Sequence, residues 1–367
     1  MAGSGDLQLY RYPQSKSVDA VRWLHPLSAF DRFIATALYD TDDASSSVEI
    51  HSLNLNSDPE NPNRSKPLLR PRSNWPSPSR ISSLRTSEIP QKHVVAALST
   101  FAGYVHFLFM DPIDVSVELE LSTDEDQPLH NASVSVVDLQ DGGHECLSVG
   151  EDGRVNVVSV GEGRLDTQLV HDNRGLVSYT AVKWASQAEF ATGGFGFGLQ
   201  WWDQRKPGGL VSQLKGNWAQ GNVTGIVHSI DIHPSRKHIS VVGGSSGTVF
   251  AWDLRWQQQP ILLSGVGVAG QSTFESEIWE IQYDIHAQSS SISSTSSTKI
   301  LPVMFCSEDG ILGVIEQGKP PIELLTEACA INSLDIDPQN PSDIICGLEW
   351  ESIGILMRPK EAAALVY

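Results

Sequence analysis

The sequence predicts an all-β fold: a single seven-bladed WD-repeat β-propeller with degenerate blades. Three observations carry this. First, Trp202-Asp203-Gln204-Arg205 and Trp252-Asp253-Leu254-Arg255 each close a short alternating run behind a Gly-rich turn, about fifty residues apart. A Trp-Asp pair ending a strand once per blade length is the mark of this repeat. Second, the turn Glu151-Asp152-Gly153 returns as Glu308-Asp309-Gly310 at the same point of two other repeats. Third, 367 residues hold seven repeats of ~40–45 residues with room for insertions, so the whole chain, residues 1–367, reads as one domain.

Each repeat has alternating strands separated by turn residues, the period expected where both faces of a blade pack on neighbours. The fifth is cleanest: Val227–Ile232, then His238–Val242, then Thr248–Trp252. The fourth runs Tyr179–Trp184, Glu189–Thr192 and Leu199–Trp202. Weaker copies start at Val18, Ile81, Val134, Ile278 and Ile331. Asp-Gly in the third and sixth is expected to form a two-residue hairpin with positive φ angles, at Asp152, Gly153, Asp309 and Gly310. The alternating segment Leu7–Tyr12 is expected to supply the outer strand of the last blade, closing the ring and removing an edge that invites aggregation.

Two segments break the pattern. Residues 54–80 are rich in Pro, Ser, Asn and Arg, and residues 286–299 are nearly pure Ser and Thr. Both lack the apolar content to order themselves and read as disordered surface insertions. The run from Asp111 to Asp126 reads as an outer strand with an acidic tip, with Val115, Val117, Leu119 and Leu121 on one face.

A net charge of −19 opposes direct nucleic-acid binding and favours protein partners with basic patches. One basic cluster, Arg64, Lys66, Arg70, Arg72, Arg80 and Arg85, runs against that balance. Cys146, Cys306, Cys329 and Cys346 lack the spacing of a zinc site. Three of them, Cys146, Cys306 and Cys346, read as small core residues. Neither a signal sequence nor an apolar run of membrane-spanning length is present, so no membrane insertion is expected. Gly194-Phe-Gly196-Phe-Gly198 lies between strands, with no Lys-Ser/Thr after it, and reads as a turn rather than a phosphate loop. His228, His233 and His238 alternate faces and do not converge on a metal. The chain reads as no enzyme, with no catalytic, cofactor-binding or metal-binding residues and no small-molecule substrate.

In a full WD repeat a Ser or Thr on the second strand accepts the Trp indole N–H, aided by a His before the first strand and an Asp in the turn. Thr192 stands where Trp202 needs that hydroxyl; Val242 stands there for Trp252. The third blade inverts the defect, with Ser148, Asp152 and candidate His130 present but Val158 in place of Trp.

Several segments carry a more specific likeness. These are Val18-Asp-Ala-Val-Arg22-Trp23 with Phe33-Ile-Ala-Thr36 and Asp40-Thr-Asp-Asp43, and Trp252-Asp-Leu-Arg255 leading to Glu275-Ser-Glu-Ile-Trp279-Glu280. With them go Phe305-Cys-Ser-Glu-Asp-Gly310, Ile331-Asn-Ser-Leu-Asp335 and Ile345-Cys-Gly347. In this order they resemble the nucleoporin-43 family, small WD-repeat nucleoporins of the Y-shaped scaffold complex of the nuclear pore. The serine tract here interrupts the sixth blade, a departure from that family. The resemblance implies a non-catalytic scaffold subunit in the nucleus, at the nuclear envelope within the nuclear pore complex. It also implies an α-solenoid nucleoporin as partner and support for mRNA export and protein transport; the interface is not legible. An alternative rests on Arg205 and Arg255, since Trp-Asp-x-Arg is also how some propellers dock, as substrate receptors, onto a cullin-RING ubiquitin ligase adaptor.

Overall fold

The computed structural model describes residues 7–359 apart from 26–31, 55–66, 90–92, 112, 124–126, 162, 197, 215–224, 257–259, 265–275 and 287–299. Its strands form seven four-stranded antiparallel sheets, each a blade. Numbering strands outward from the ring axis, the first strands are Ser17–Trp23, Ile81–Ile89, Val134–Leu139, Tyr179–Trp184, Val227–Ile232, Ile278–Tyr283 and Ile331–Ile336. The ring closes as expected. Gln8–Pro13 pairs antiparallel with Ser352–Met357, from Gln8↔Met357 to Pro13↔Ser352, as the fourth strand of blade seven.

The core lies between blades. Trp202 packs with Leu147, Val149 and Val157 of blade three, whereas Trp201 and Trp252 pack together between blades four and five. Cys146, Cys306 and Cys346 are fully buried in these layers. The first strands share a β-bulge near their start, visible as a register shift at Val18/Ala20, Ile81/Ser83 and the five equivalent places. Antiparallel winding gives the ring two faces. The upper carries the turns between second and third strands and the crossings to the next blade. The lower carries the turns between first and second and between third and fourth strands.

Three expectations need correction. Of residues 54–80, Leu68–Ser77 is not an insertion but the fourth strand of blade one, with Trp75 opposite Val48. Trp75 is 7% exposed and joins the core between blades one and two, and its indole N–H donates to Glu120 at 2.8 Å. Pro71 and Pro76 obscured this strand, but an outermost strand has one unpaired edge and tolerates prolines. Residues 55–66 and 287–299 of the expected insertions lie outside the described residues.

Second, the Asp-Gly turns are three-residue loops. Gly153 (φ 76°) and Gly310 (φ 80°) have positive φ but Asp152 and Asp309 do not, and Gly153 N–H donates to Gly150 O at 3.1 Å. That is a turn followed by a left-handed glycine, a hairpin form as natural as the two-residue one. Third, the outer strand of blade two is Val117–Ser122, with Leu119 exposed; Val115 precedes it, buried, at φ 60°.

Candidate functional site

The ring axis is filled from the first strands. Counting from Val18, Ile81, Val134, Tyr179, Val227, Ile278 and Ile331, the fifth residues are Arg22, Arg85, Asp138, Lys183, Asp231, Gln282 and Asp335. The inner edge of a first strand faces no further strand, so its N–H groups need other acceptors. The preceding blade supplies them. Fifth-position side chains accept the sixth-position N–H of the next blade: Trp184 N–H to Asp138, Tyr283 N–H to Asp231 and Trp23 N–H to Asp335, all at 2.8 Å, and Ile336 N–H to Gln282 at 3.1 Å. Third-position side chains serve the fourth-position N–H in the same way, as in Val21 to Ser333 at 3.2 Å and Leu334 to Glu280 at 2.8 Å.

Cations complete the axis. Arg22 ion-pairs with Glu280 and donates to Ser333 at 2.8 Å and Leu334 O at 3.2 Å. Arg85 reaches the same Glu280 at 3.1 Å, and Lys183 reaches Asp138 at 3.1 Å. Arg22, Arg85 and Glu280 line both axial cavities, one of ≈ 320 Å³ opening upward and one of ≈ 270 Å³ opening downward. They therefore plug the channel. Burial pushes the Asp335 carboxyl up to about 7 against the pull of the Trp23 N–H and Arg85. Among these axial groups four carboxyls (Asp138, Asp231, Glu280, Asp335) face three cations (Arg22, Arg85, Lys183), so with all four ionised one negative charge lacks a balance.

The Trp-Asp-x-Arg elements are local structures. Trp202 Nε1 donates to Thr192 Oγ1 at 2.9 Å, whereas Trp252 Nε1 has no hydrogen-bond acceptor among the described residues. Asp203 accepts the Arg205 N–H at 3.0 Å and its guanidinium at 2.8 Å, and Asp253 accepts the Arg255 N–H at 2.9 Å and its guanidinium at 2.7 Å. Arg205 also reaches Glu189 at 2.7 Å. The Arg205 hydrogen bond holds the Asp203 carboxyl below its ordinary pKa; at Asp253 burial opposes that shift and the Arg255 bonds outweigh it. Both arginines follow third strands, so they stand on the lower face, beside exposed Trp256.

In blade three His130 Nδ1 lies 2.9 Å from Asp152 and its Nε2 3.0 Å from Ser148. Asp152 also accepts the N–H of Asn131 at 2.9 Å, tying the crossing from blade two to the turn. Asp309 accepts the Ser307 hydroxyl in blade six. Of the basic cluster expected from sequence, Arg64 and Lys66 lie outside the described residues, and three of the others are dispersed: Arg72 binds Ser52 on the rim, Arg80 pairs with Asp19 on the upper face and Arg85 sits on the axis. Among the described residues no group of His, Cys, Asp and Glu is placed to hold a metal ion.

The upper face shows what the sequence did not. Register places one residue of each blade, the one after the partner of the first counted residue of the first strand, at the same point of the upper face: Tyr39, Phe101, Glu151, Phe195, Ser245, Glu308 and Glu349 in ring order, of which Phe101 and Glu151 line the axial cavity. Phe101 is 54% exposed and Phe195 55%, with Leu176 (85%) and Trp350 (67%) on the same face. Arg80 stacks 4.4 Å from the Tyr39 ring and 6.0 Å from Phe101 while pairing with Asp19 at 2.7 Å. Across the mouth Trp279 packs against His228 with ring centres 4.8 Å apart and planes tilted by 52°, and it donates to Glu308 at 2.7 Å. Exposed aromatic and acidic groups around a plugged cavity are features of surfaces that contact macromolecules.

The chain is 56% identical over 362 residues to the nuclear pore complex protein NUP43 of Arabidopsis thaliana, spanning 96% of this chain and 98% of that protein. Human nucleoporin Nup43 is 28% identical over 142 residues, 38% of this chain and 33% of the human protein. An uncharacterized WD repeat-containing protein of Schizosaccharomyces pombe is 26% identical over 135 residues, 36% of this chain and 35% of its own length. No protein-family model matches.

Proposed function

From membership of the Nup43 family of nuclear pore complex proteins, to which this chain belongs, we propose that it is a non-catalytic scaffold subunit of the pore's Y-shaped outer-ring complex. The family makes it a nucleoporin of the nuclear envelope. In the proposed role the propeller packs against an α-solenoid nucleoporin and supports mRNA export and protein transport, without crossing the membrane or binding nucleic acid. The observation that carries this reading is the 56% identity along nearly the whole chain. The plugged axis supports it, because Arg22, Arg85 and Glu280 occupy the place where a propeller could admit a substrate.

Affinity purification of the tagged full-length protein from nuclear envelopes tests the proposal. Recovery of Y-complex subunits in near-stoichiometric amounts is expected. Their absence, under conditions that keep the rest of that complex together, overturns it.

A further inference from the structure

We propose that the mouth of the upper axial cavity docks a basic segment of the partner nucleoporin, with a Lys or Arg held at Glu151 between Phe101 and Phe195. The inference rests on the scaffold reading above and adds to it the face and the chemistry of contact. Phe101, Glu151 and Phe195 occupy the same register position in three successive blades, so in ring order an acid comes between two exposed aromatic residues. A cation there gains both an ion pair and the attraction of aromatic faces.

The neighbouring part of the rim shows a cation held by the same kinds of group. There Asp19 and the rings of Tyr39 and Phe101 hold the chain's own Arg80, through a 2.7 Å ion pair and a 4.4 Å stack. No ion pair joins Glu151 to a cation of this chain among the described residues; the nearby Arg154 is engaged with Asp152 and Asp172. Glu308 and Glu349 extend the acidic rim, and Trp350 and Leu176 offer exposed apolar surface beside it. The occupant is therefore a protein segment in which a Lys or Arg is flanked by apolar side chains. The lower face is less suited, since the exposed guanidiniums of Arg205 and Arg255 are neutralised by Asp203, Glu189 and Asp253.

The test uses the tagged full-length chain in nuclear-envelope extracts. Three forms are compared: wild type, an upper-face variant (Glu151→Lys with Phe195→Ser) and a lower-face variant (Arg205→Glu with Arg255→Glu), with melting curves showing that all are folded. The upper-face variant is expected to recover about tenfold less α-solenoid nucleoporin while the lower-face variant matches wild type. A photo-crosslinking residue at position 101 should label a Lys- or Arg-bearing peptide of that nucleoporin. Loss of recovery only in the lower-face variant, or a label only from position 256, overturns the docking face and leaves the scaffold role standing. If wild type itself recovers no nucleoporin, the scaffold reading fails and this inference with it.

Discussion

The carboxylate of Asp335, on the first strand of blade seven, accepts the backbone N–H of Trp23, on the first strand of blade one, at 2.8 Å. Those residues are 312 apart in sequence. The ring is thus joined twice across the same seam, by main-chain pairing at its rim and by a carboxylate at its axis. Arg32 adds a third tie there, bridging Asp337 and, at 2.8 Å, Asp343.

The axial tie makes a statement about pH. Burial raises Asp335 to about 7 from an ordinary 3.8, so between those values the folded chain binds a proton that the unfolded chain releases. This group's contribution to stability therefore falls as pH rises from about 4 to about 7 and is level above that. Asp335→Asn keeps an oxygen for the Trp23 N–H and removes the unbalanced charge. Melting curves at pH 5 and pH 8 should show the variant gaining on wild type at the higher pH, by about 2–4 °C. A variant that melts below wild type at pH 8 would mean the ionised carboxylate stabilises the ring.

Rim closure is tested by removing residues 1–13. The deletion bares the edge of Ser352–Met357 and uncovers the apolar surface under Leu9, Tyr10 and Tyr12. We expect a fall in Tm of about 5 °C or more and a tendency to aggregate. An unchanged melt rules out a structural role for this strand.

The two WD tryptophans should respond differently to loss of the indole nitrogen alone. Trp202→Phe breaks the bond to Thr192, whereas Trp252→Phe removes an N–H that has no acceptor among the described residues. Denaturant titration should find Trp202→Phe costlier by about 1–2 kcal/mol. Trp252→Ala, which empties a fully buried site, should cost about 3–5 kcal/mol. Equal costs for the two Phe variants would contradict the distinction.

Turn glycines differ in what surrounds them. At Gly310 an added Cβ would lie 2.3 Å from Glu327 O and 2.5 Å from Cys329 O, while at Gly163, with a similar φ of 75°, it would meet nothing within 4 Å. Gly163→Ala should cost about 1 kcal/mol of backbone strain alone. Gly310→Ala should cost about 3 kcal/mol or more, since backbone must move. Comparable losses at the two sites would remove the packing explanation.

Arg255→Glu addresses the ubiquitin-ligase alternative directly. Its ion pair with Asp253 is exposed and contributes little to folding, so the protein should melt within about 1 °C of wild type. Pore incorporation should be retained. Loss of binding to a cullin-RING adaptor in this variant, if wild type binds one, would favour that alternative.

The blade count, the closing strand and the acceptor at Thr192 were legible because each is written in a few adjacent residues. Turn glycines, strand alternation and a ten-residue spacing between Thr192 and Trp202 depend on local backbone geometry that sequence records directly. The strand at Leu68–Ser77 was not legible, because its prolines resemble a loop until the outer edge that tolerates them is seen. Likewise Arg80 and Arg85, five residues apart, read as one basic cluster, yet the bulge and pleat send one to the upper mouth and the other to the axis. The sequence by itself determined the repeat, the closed ring and the family. Only the tertiary structure decided which residues meet at its centre. Phe101, Glu151 and Phe195 lie 50 and 44 residues apart, and nothing in the local chain relates them until the register of three separate sheets gives them the same place in consecutive blades.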